Sequence, residues 1–144
     1  MLPIHGGGST RFRRRDLRCG LEPDQCFWIA HEMQVRGLKD IDLRRDPPPD
    51  LVVEVDAKRQ GIPRLPVYAA LGMPEVWRVS REGALSFHIL QRDGAYTAPQ
   101  VSRALPPLTP ADLQPHLDLR DQLDDTAVVR GFREWVRKLP PPTP

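Results

Sequence analysis

The chain has 144 residues, of which 40% are hydrophobic, and a formal net charge of +2. That length predicts one domain with a modest core. No apolar run approaches the eighteen or so residues of a membrane span, and "MLPIHGGGST" lacks the charged-then-apolar order of a secretory signal, so a cytoplasmic, bacterial protein without a membrane partner is expected. Two cysteines, Cys19 and Cys26, with no second Cys/His pair at ligand spacing exclude a zinc site or a disulfide framework.

In chain order, residues 1–8 read as a flexible start. A short strand is expected around Ser9 to Arg14, "CGLEPD" reads as a turn, and "DQCFWIA" is a strand rich in β-favouring aromatics. The segment "RFRRRDLR" gathers Arg11, Arg13, Arg14 and Arg15 into a basic cluster able to meet nucleic-acid phosphate, a solvated basic face being the alternative. After the polar connection "RGLKDIDLRRD", Pro47 to Pro49 force extended backbone and deliver the chain into "DLVVEVD".

There Leu51, Val53 and Val55 alternate with Val52, Glu54 and Asp56. One face of the strand is therefore apolar and both acids point to the other. The segment "IPRLPVYAALG" predicts a short helix with prolines in its first turn and Gly72 as a left-handed stop. "MPEVWRV" and "ALSFHILQ" form a hairpin with an exposed face, followed by a strand near Tyr96. Thr109, Pro110 and Asp112 start a helix that Pro115 limits to little more than a turn or two. The last helix, about Asp121 to Lys138, aligns Val128, Phe132, Trp135 and Leu139 in a stripe suited to core packing, and the proline-rich end at residues 140–144 reads as a tail. This order of elements predicts an α/β (α+β) domain with a mixed sheet.

Charges on a strand that reads as buried need a partner or a metal. A hard divalent cation takes carboxylate and water ligands. Asp24, in "GLEPD", and Glu54, in "VVEVD", are a candidate pair 30 residues apart. A turn-forming acid and an exposed strand acid are the plain alternatives for the two. No glycine-rich phosphate loop, serine elbow or Cys/His pairing supports a small-molecule enzyme, and His5, His31, His88 and His116 stand alone in the sequence.

The blocks "STRFRRRDL", "GLEPDQCFWI", "VRGLKDIDLRRDPPPDLVVEVD" and "LPVYAALGMPEVWRV", spread over roughly Ser9 to Leu117, resemble in order and interval the Uma-two family of restriction-endonuclease-type proteins, within the PD-(D/E)XK nuclease superfamily. The resemblance implies a restriction-endonuclease-like mixed central sheet flanked by helices over residues 9–118, with a C-terminal helix at 119–139. It also implies Mg²⁺-dependent (or Mn²⁺-dependent) cleavage of DNA phosphodiester bonds. On this reading Asp24 is the "PD" acid, Glu54 the acid of the (D/E)XK strand, and the Val55 carbonyl the backbone metal ligand, while Asp50 starts the strand.

The sequence departs from that pattern. Asp56 stands where the strand motif ends in Lys, and Arg64 stands where relatives supply a substitute Lys from the following helix. Arg64 can hold a phosphate but remains protonated, which leaves Lys58 as the alternative basic group beside Glu54, Asp56 and Arg64. "AKRQGIP" replaces a Ser/Thr-rich link. The family's N-terminal helix, hairpin and long helix are missing before Ser9, so the chain reads as N-terminally truncated. An apolar sheet face would then be exposed, favouring a homodimer or association with another chain. The alternative function is a catalytically inactive remnant that binds DNA or a protein partner.

Overall fold

The computed structural model describes residues 2–14, 19–56 and 63–140. Its centre is a six-stranded sheet in the order β1 (His5–Gly6), β4 (Gln25–Trp28), β5 (Leu51–Val55), β6 (Glu75–Val79), β7 (Leu85–Leu90) and β8 (Tyr96–Thr97). Between them come a ribbon of β2 (Phe12–Arg14) and β3 (Cys19–Leu21) and four helices, α1 (Glu32–Val35), α2 (Arg64–Ala70), α3 (Pro110–Asp118) and α4 (Asp125–Lys138). Among these strands only β5 and β6 pair in parallel, with α2 on the connection between them. The expected mixed sheet flanked by helices is present.

Parallel strands are buried on both faces, which is why β5 reads "LVVEV" rather than strictly alternating apolar and polar. On one face Cys26, Trp28, Val52 and Val76 pack with Phe12, Val35, Tyr68, Leu71 and Met73 into the main core. The opposite face buries Phe87 and Ile89, with Trp77 stacked on Phe87 at a ring separation of 4.3 Å. Leu113 of α3 is buried as well, and α3 packs against β7. The apolar face expected to stand open is thus covered in large part. What remains is an apolar groove of about 370 Å³ lined by Val53, Trp77, Val79, Leu85, Leu113 and Phe132 among others.

Local chemistry sets the helix ends. Gly72 has φ +75° directly after the C-cap of α2, the left-handed stop read from the sequence. Thr109 Oγ1 accepts the Asp112 N–H at 3.1 Å while Asp112 Oδ2 accepts the Thr109 N–H at 2.9 Å, a reciprocal capping box. With Pro115 inside it, α3 runs nine residues, two and a half turns, before a 3-10 turn at Leu119–Asp121. Because of that turn, α4 begins at Asp125, later than expected, with Asp124 as its cap. Its stripe is only half-buried: Phe132 and Trp135 lie 5.2 and 4.9 Å from the His116 ring of α3, and no α4 residue is fully buried.

Two expectations are corrected. Cys19–Leu21, expected as a turn, is strand β3 and pairs Leu21 with Phe12, whose side chain enters the core. Within the stretch read as a flexible start, His5–Gly6 pairs with Trp28 and Phe27, and the Gly7 N–H reaches the Cys26 carbonyl at 2.9 Å. A Cβ at Gly7 would sit 2.6 Å from both Cys26 Sγ and Trp28 Cζ3, so the backbone lies flush on the core there. Between β4 and the polar connection, the stretch "EMQV" forms the unanticipated short helix α1, anchored by the wholly buried Val35.

Asp50 is buried at the start of β5, where Oδ2 accepts the N–H groups of Ile29 at 2.7 Å and His31 at 3.1 Å. This fastens the end of β4 to β5, and the other oxygen, Oδ1, lies 2.5 Å from His31 Nδ1. At the start of β6, Glu75 does similar work, accepting from Ser102 Oγ and from the N–H groups of Arg103 and Ala104 at 2.7–2.8 Å.

Candidate active site at the end of strand β5

Glu54 is the fourth residue of β5 and faces the same way as Val52, so its side chain enters the main core and is 3% exposed. The face that carries the acid is therefore the buried one. On the other face Leu51 is buried and Val55, at the strand end, is 44% exposed. Neither an exposed strand acid nor solvent on the acid-bearing face describes Glu54.

Helix α2 returns across this end of the strand and presents Arg64 and Tyr68, four residues apart and so on one helical face. Both donate to the same oxygen: Glu54 Oε1 accepts Arg64 Nη1 at 2.5 Å and the Tyr68 hydroxyl. The other oxygen, Oε2, is buried and has no hydrogen-bond partner among the described residues. Such an atom is costly unless something fills the position it faces.

Asp24 lies in the loop between β3 and β4. The antiparallel register pairs Gln25 with Val53, and one further step sets Asp24 opposite Glu54. Asp24 Oδ2 accepts the Val55 N–H at 2.7 Å, while Oδ1 takes no hydrogen bond from a described residue. The loop is held in turn by Ser9 Oγ on the Asp24 carbonyl at 3.2 Å and by Arg64 Nη1 on the Glu22 carbonyl at 3.3 Å.

Burial raises the Glu54 carboxyl above its ordinary value; hydrogen bonds from Tyr68 and Arg64 and the Arg64 charge pull it back in part, and the negative charge of Asp24 adds to the rise. Burial, followed by the bond to Glu54, also raises the Tyr68 hydroxyl, which stays a donor across the physiological range.

Two carboxylates on adjacent strands, one with an orphaned buried oxygen and the other with an open one, form a hard, oxygen-only donor set. Among the described residues no group of three or more His, Cys, Asp or Glu side chains is placed to hold a metal. By donor chemistry, an oxygen-only carboxylate pair matches a hard ion such as Mg²⁺, which retains several waters and takes one or two protein carboxylates.

The remaining predicted residues fall elsewhere. Asp56 follows the end of β5 and does not turn toward Glu54; Arg78 Nε and Nη2 reach its Oδ2 at 2.8 and 2.5 Å. The pair arises because the parallel register sets Arg78 beside Glu54, within reach of the residue two further on. Val55 follows Glu54 directly, its N–H committed to Asp24. Arg11 is exposed and pairs with Glu22 at 3.1 Å. Lys58 and Arg15 lie outside the described residues, as do the side chains of Arg13 and Arg14, whose backbone belongs to β2. Tyr68 escaped sequence reasoning; the spacing of four from Arg64 puts the two on one helical face but does not tell where the hydroxyl ends.

Residues 3–122 match the model of the Uma2 family, described as "Putative restriction endonuclease". No curated protein and no solved structure shows a match. The family match spans most of the chain and takes in every candidate site residue, and the chain belongs to the Uma2 family.

Proposed function

We propose that this Uma2 chain is a metal-dependent DNA endonuclease that hydrolyses phosphodiester bonds, with Asp24, Glu54 and the Val55 carbonyl as ligands of Mg²⁺ or Mn²⁺. The observation that carries the reading is the buried, unpartnered Glu54 Oε2 at the strand end to which Asp24 is tied. When bound, the cation would acidify an attacking water and offset charge on the scissile phosphate.

The chain's own residues do the rest. Asp24, tied to the Val55 N–H, and Glu54 would each offer one oxygen at the end of β5. Arg64, about a quarter exposed, stands where it can turn one N–H toward a phosphate oxygen while remaining beside Glu54. Being permanently charged, it stabilises the phosphate and does not take the proton of the attacking water. Arg11, Arg13, Arg14 and Arg15 supply further phosphate contacts on this reading, and the setting is the cytoplasm. Among the described residues no helix is long and apolar enough to cross a membrane.

The test is plasmid nicking by purified protein with Mg²⁺ against Glu54→Ala; equal nicking by the two proteins would remove Glu54 from the site. One observation favours a second reading, a DNA-binding domain without cleavage: Arg64 places a positive charge on the carboxylate that the cation needs. That reading predicts salt-sensitive DNA binding with no nicking at any Mg²⁺ concentration.

A further inference from the structure

We propose that Tyr68 is a positioning residue for the metal-binding carboxylate: its core-anchored hydroxyl fixes the rotation of Glu54 so that Oε2, and not Oε1, faces the cation. The inference rests on the metal-site reading above.

A carboxylate at the end of a Glu side chain has two equivalent oxygens and a broad, soft terminal torsion. Left alone, it presents either oxygen in turn. Here both donors among the described residues converge on Oε1, and Oε2 is left without a hydrogen-bond partner among them. The two donors differ in what holds them. Arg64 is a long side chain, a quarter exposed, and shares its Nη1 with the Glu22 carbonyl. Its reach lets it turn toward a phosphate at the expense of its bond to Oε1. The Tyr68 ring is wholly buried among core residues, and its own carbonyl accepts the Met73 N–H at 3.0 Å where α2 ends. It cannot follow Arg64 away. When Arg64 turns to substrate, Tyr68 is the remaining donor that keeps Oε1 occupied and Oε2 presented. Groups that orient a ligand in this way typically change metal affinity by about 10- to 100-fold.

The experiment is titration calorimetry of the full chain with MnCl₂ alone, comparing the natural sequence with Tyr68→Phe, Glu54→Gln and a variant carrying p-aminophenylalanine at position 68, with metal-free melting recorded for each. Tyr68→Phe keeps the ring and is expected to weaken Mn²⁺ binding about tenfold, in folded protein; p-aminophenylalanine, which restores a donor at the same place, is expected to restore it. A lower melting temperature for Tyr68→Phe with unchanged Mn²⁺ affinity would reduce Tyr68 to a packing residue and overturn the proposal. So would an aminophenylalanine variant that binds no better than Tyr68→Phe. Should Tyr68→Phe not fold, the aminophenylalanine variant alone decides, wild-type affinity supporting the role and weakened affinity ending it. If Glu54→Gln binds Mn²⁺ as tightly as the natural chain, the metal site itself is wrong; if it loses binding while Tyr68→Phe keeps it, only the positioning role fails.

Discussion

Asp24 accepts the backbone N–H of Val55 at 2.7 Å, which fastens the loop before β4 to the residue that follows Glu54. One carboxylate oxygen thus acts as part of the sheet while the other remains open for chemistry. The two roles can be separated by substitution. Asn keeps an oxygen acceptor for Val55 but loses the negative charge, so Asp24→Asn is expected to melt within a few degrees of the natural chain and to nick plasmid at least about 100-fold more slowly, a usual loss when catalytic charge stabilisation is removed. Full nicking by a folded Asp24→Asn protein would exclude Asp24 as a metal ligand.

Arg64 offers the sharpest contrast between two replacements. Lys retains a positive charge beside Glu54 but can give up a proton when desolvated, which Arg cannot. Arg64→Lys is therefore expected to raise nicking by about tenfold or more, toward what a positioned base contributes; a rate equal to or below that of the natural chain would show that this position does no proton chemistry. Arg64→Ala removes the charge partner of the buried Glu54 carboxyl and raises that carboxyl further, and is expected to cost about 2–4 kcal/mol in urea unfolding, somewhat under the range for a broken buried pair.

The raised Glu54 value has a stability consequence of definite sign. The folded state holds this proton more tightly than the unfolded chain, whose Glu titrates near 4.5. Its favourable contribution is therefore complete below 4.5 and is lost as pH rises through the folded value. Across that window the natural chain should lose stability relative to Glu54→Gln, read from urea unfolding of both at stepped pH. Metal uptake runs the other way, because the ligand must be ionised: Mn²⁺ affinity should fall as pH drops through the same raised value. Parallel pH curves for the two proteins would contradict the burial of an ionising Glu54.

At the edge of the sheet, Gly7→Ala would drive a methyl into Cys26 Sγ and Trp28 Cζ3, neither of which is a flexible side-chain end. A cost of about 1–3 kcal/mol is expected, as for overpacking elsewhere. Thermal melting checks this, and an unchanged midpoint would mean that β1 does not dock as described.

Cys26 is wholly buried, and burial pushes its thiol up to about 11. A chromogenic disulfide reagent at pH 8 should leave it unmodified in the native protein and label it after denaturation, since the thiolate is the reactive form. Rapid native labelling, assigned to Cys26 by peptide mapping, would place it at the surface.

Much of this was legible in the chain because it rests on local rules. The capping box of α3, the left-handed Gly72 and the β-branched run of β5 each declare themselves within a few residues. Asp24, Glu54 and Arg64 were found by their resemblance to a family pattern and meet at one strand end. What stayed hidden depends on partners distant in sequence. Asp56 reads as an acid aligned with Glu54 until the parallel register supplies Arg78, 22 residues on. The strand character of Cys19–Leu21 depends on pairing with β2, and the depth of Gly7 depends on Trp28. Tyr68 looks like any core aromatic, since nothing in "LPVYAALG" tells where its hydroxyl ends.

The handover from main chain to side chain at Val55 also bears on how the protein assembles. Glu54, Arg64 and Tyr68 lie within one short strand–helix segment and can meet through nearby contacts, whereas Asp24 arrives from 31 residues upstream and only if β4 aligns with β5 in one register. A slip by a single residue would turn Cys26 and Trp28 out of the core and carry Asp24 past Val55. The carboxylate pair thus depends on the long-range pairing of β4 with β5. A chain paired in another register would lack the tie between Asp24 and Val55, and with it the approach of the two carboxylates that the proposed site requires.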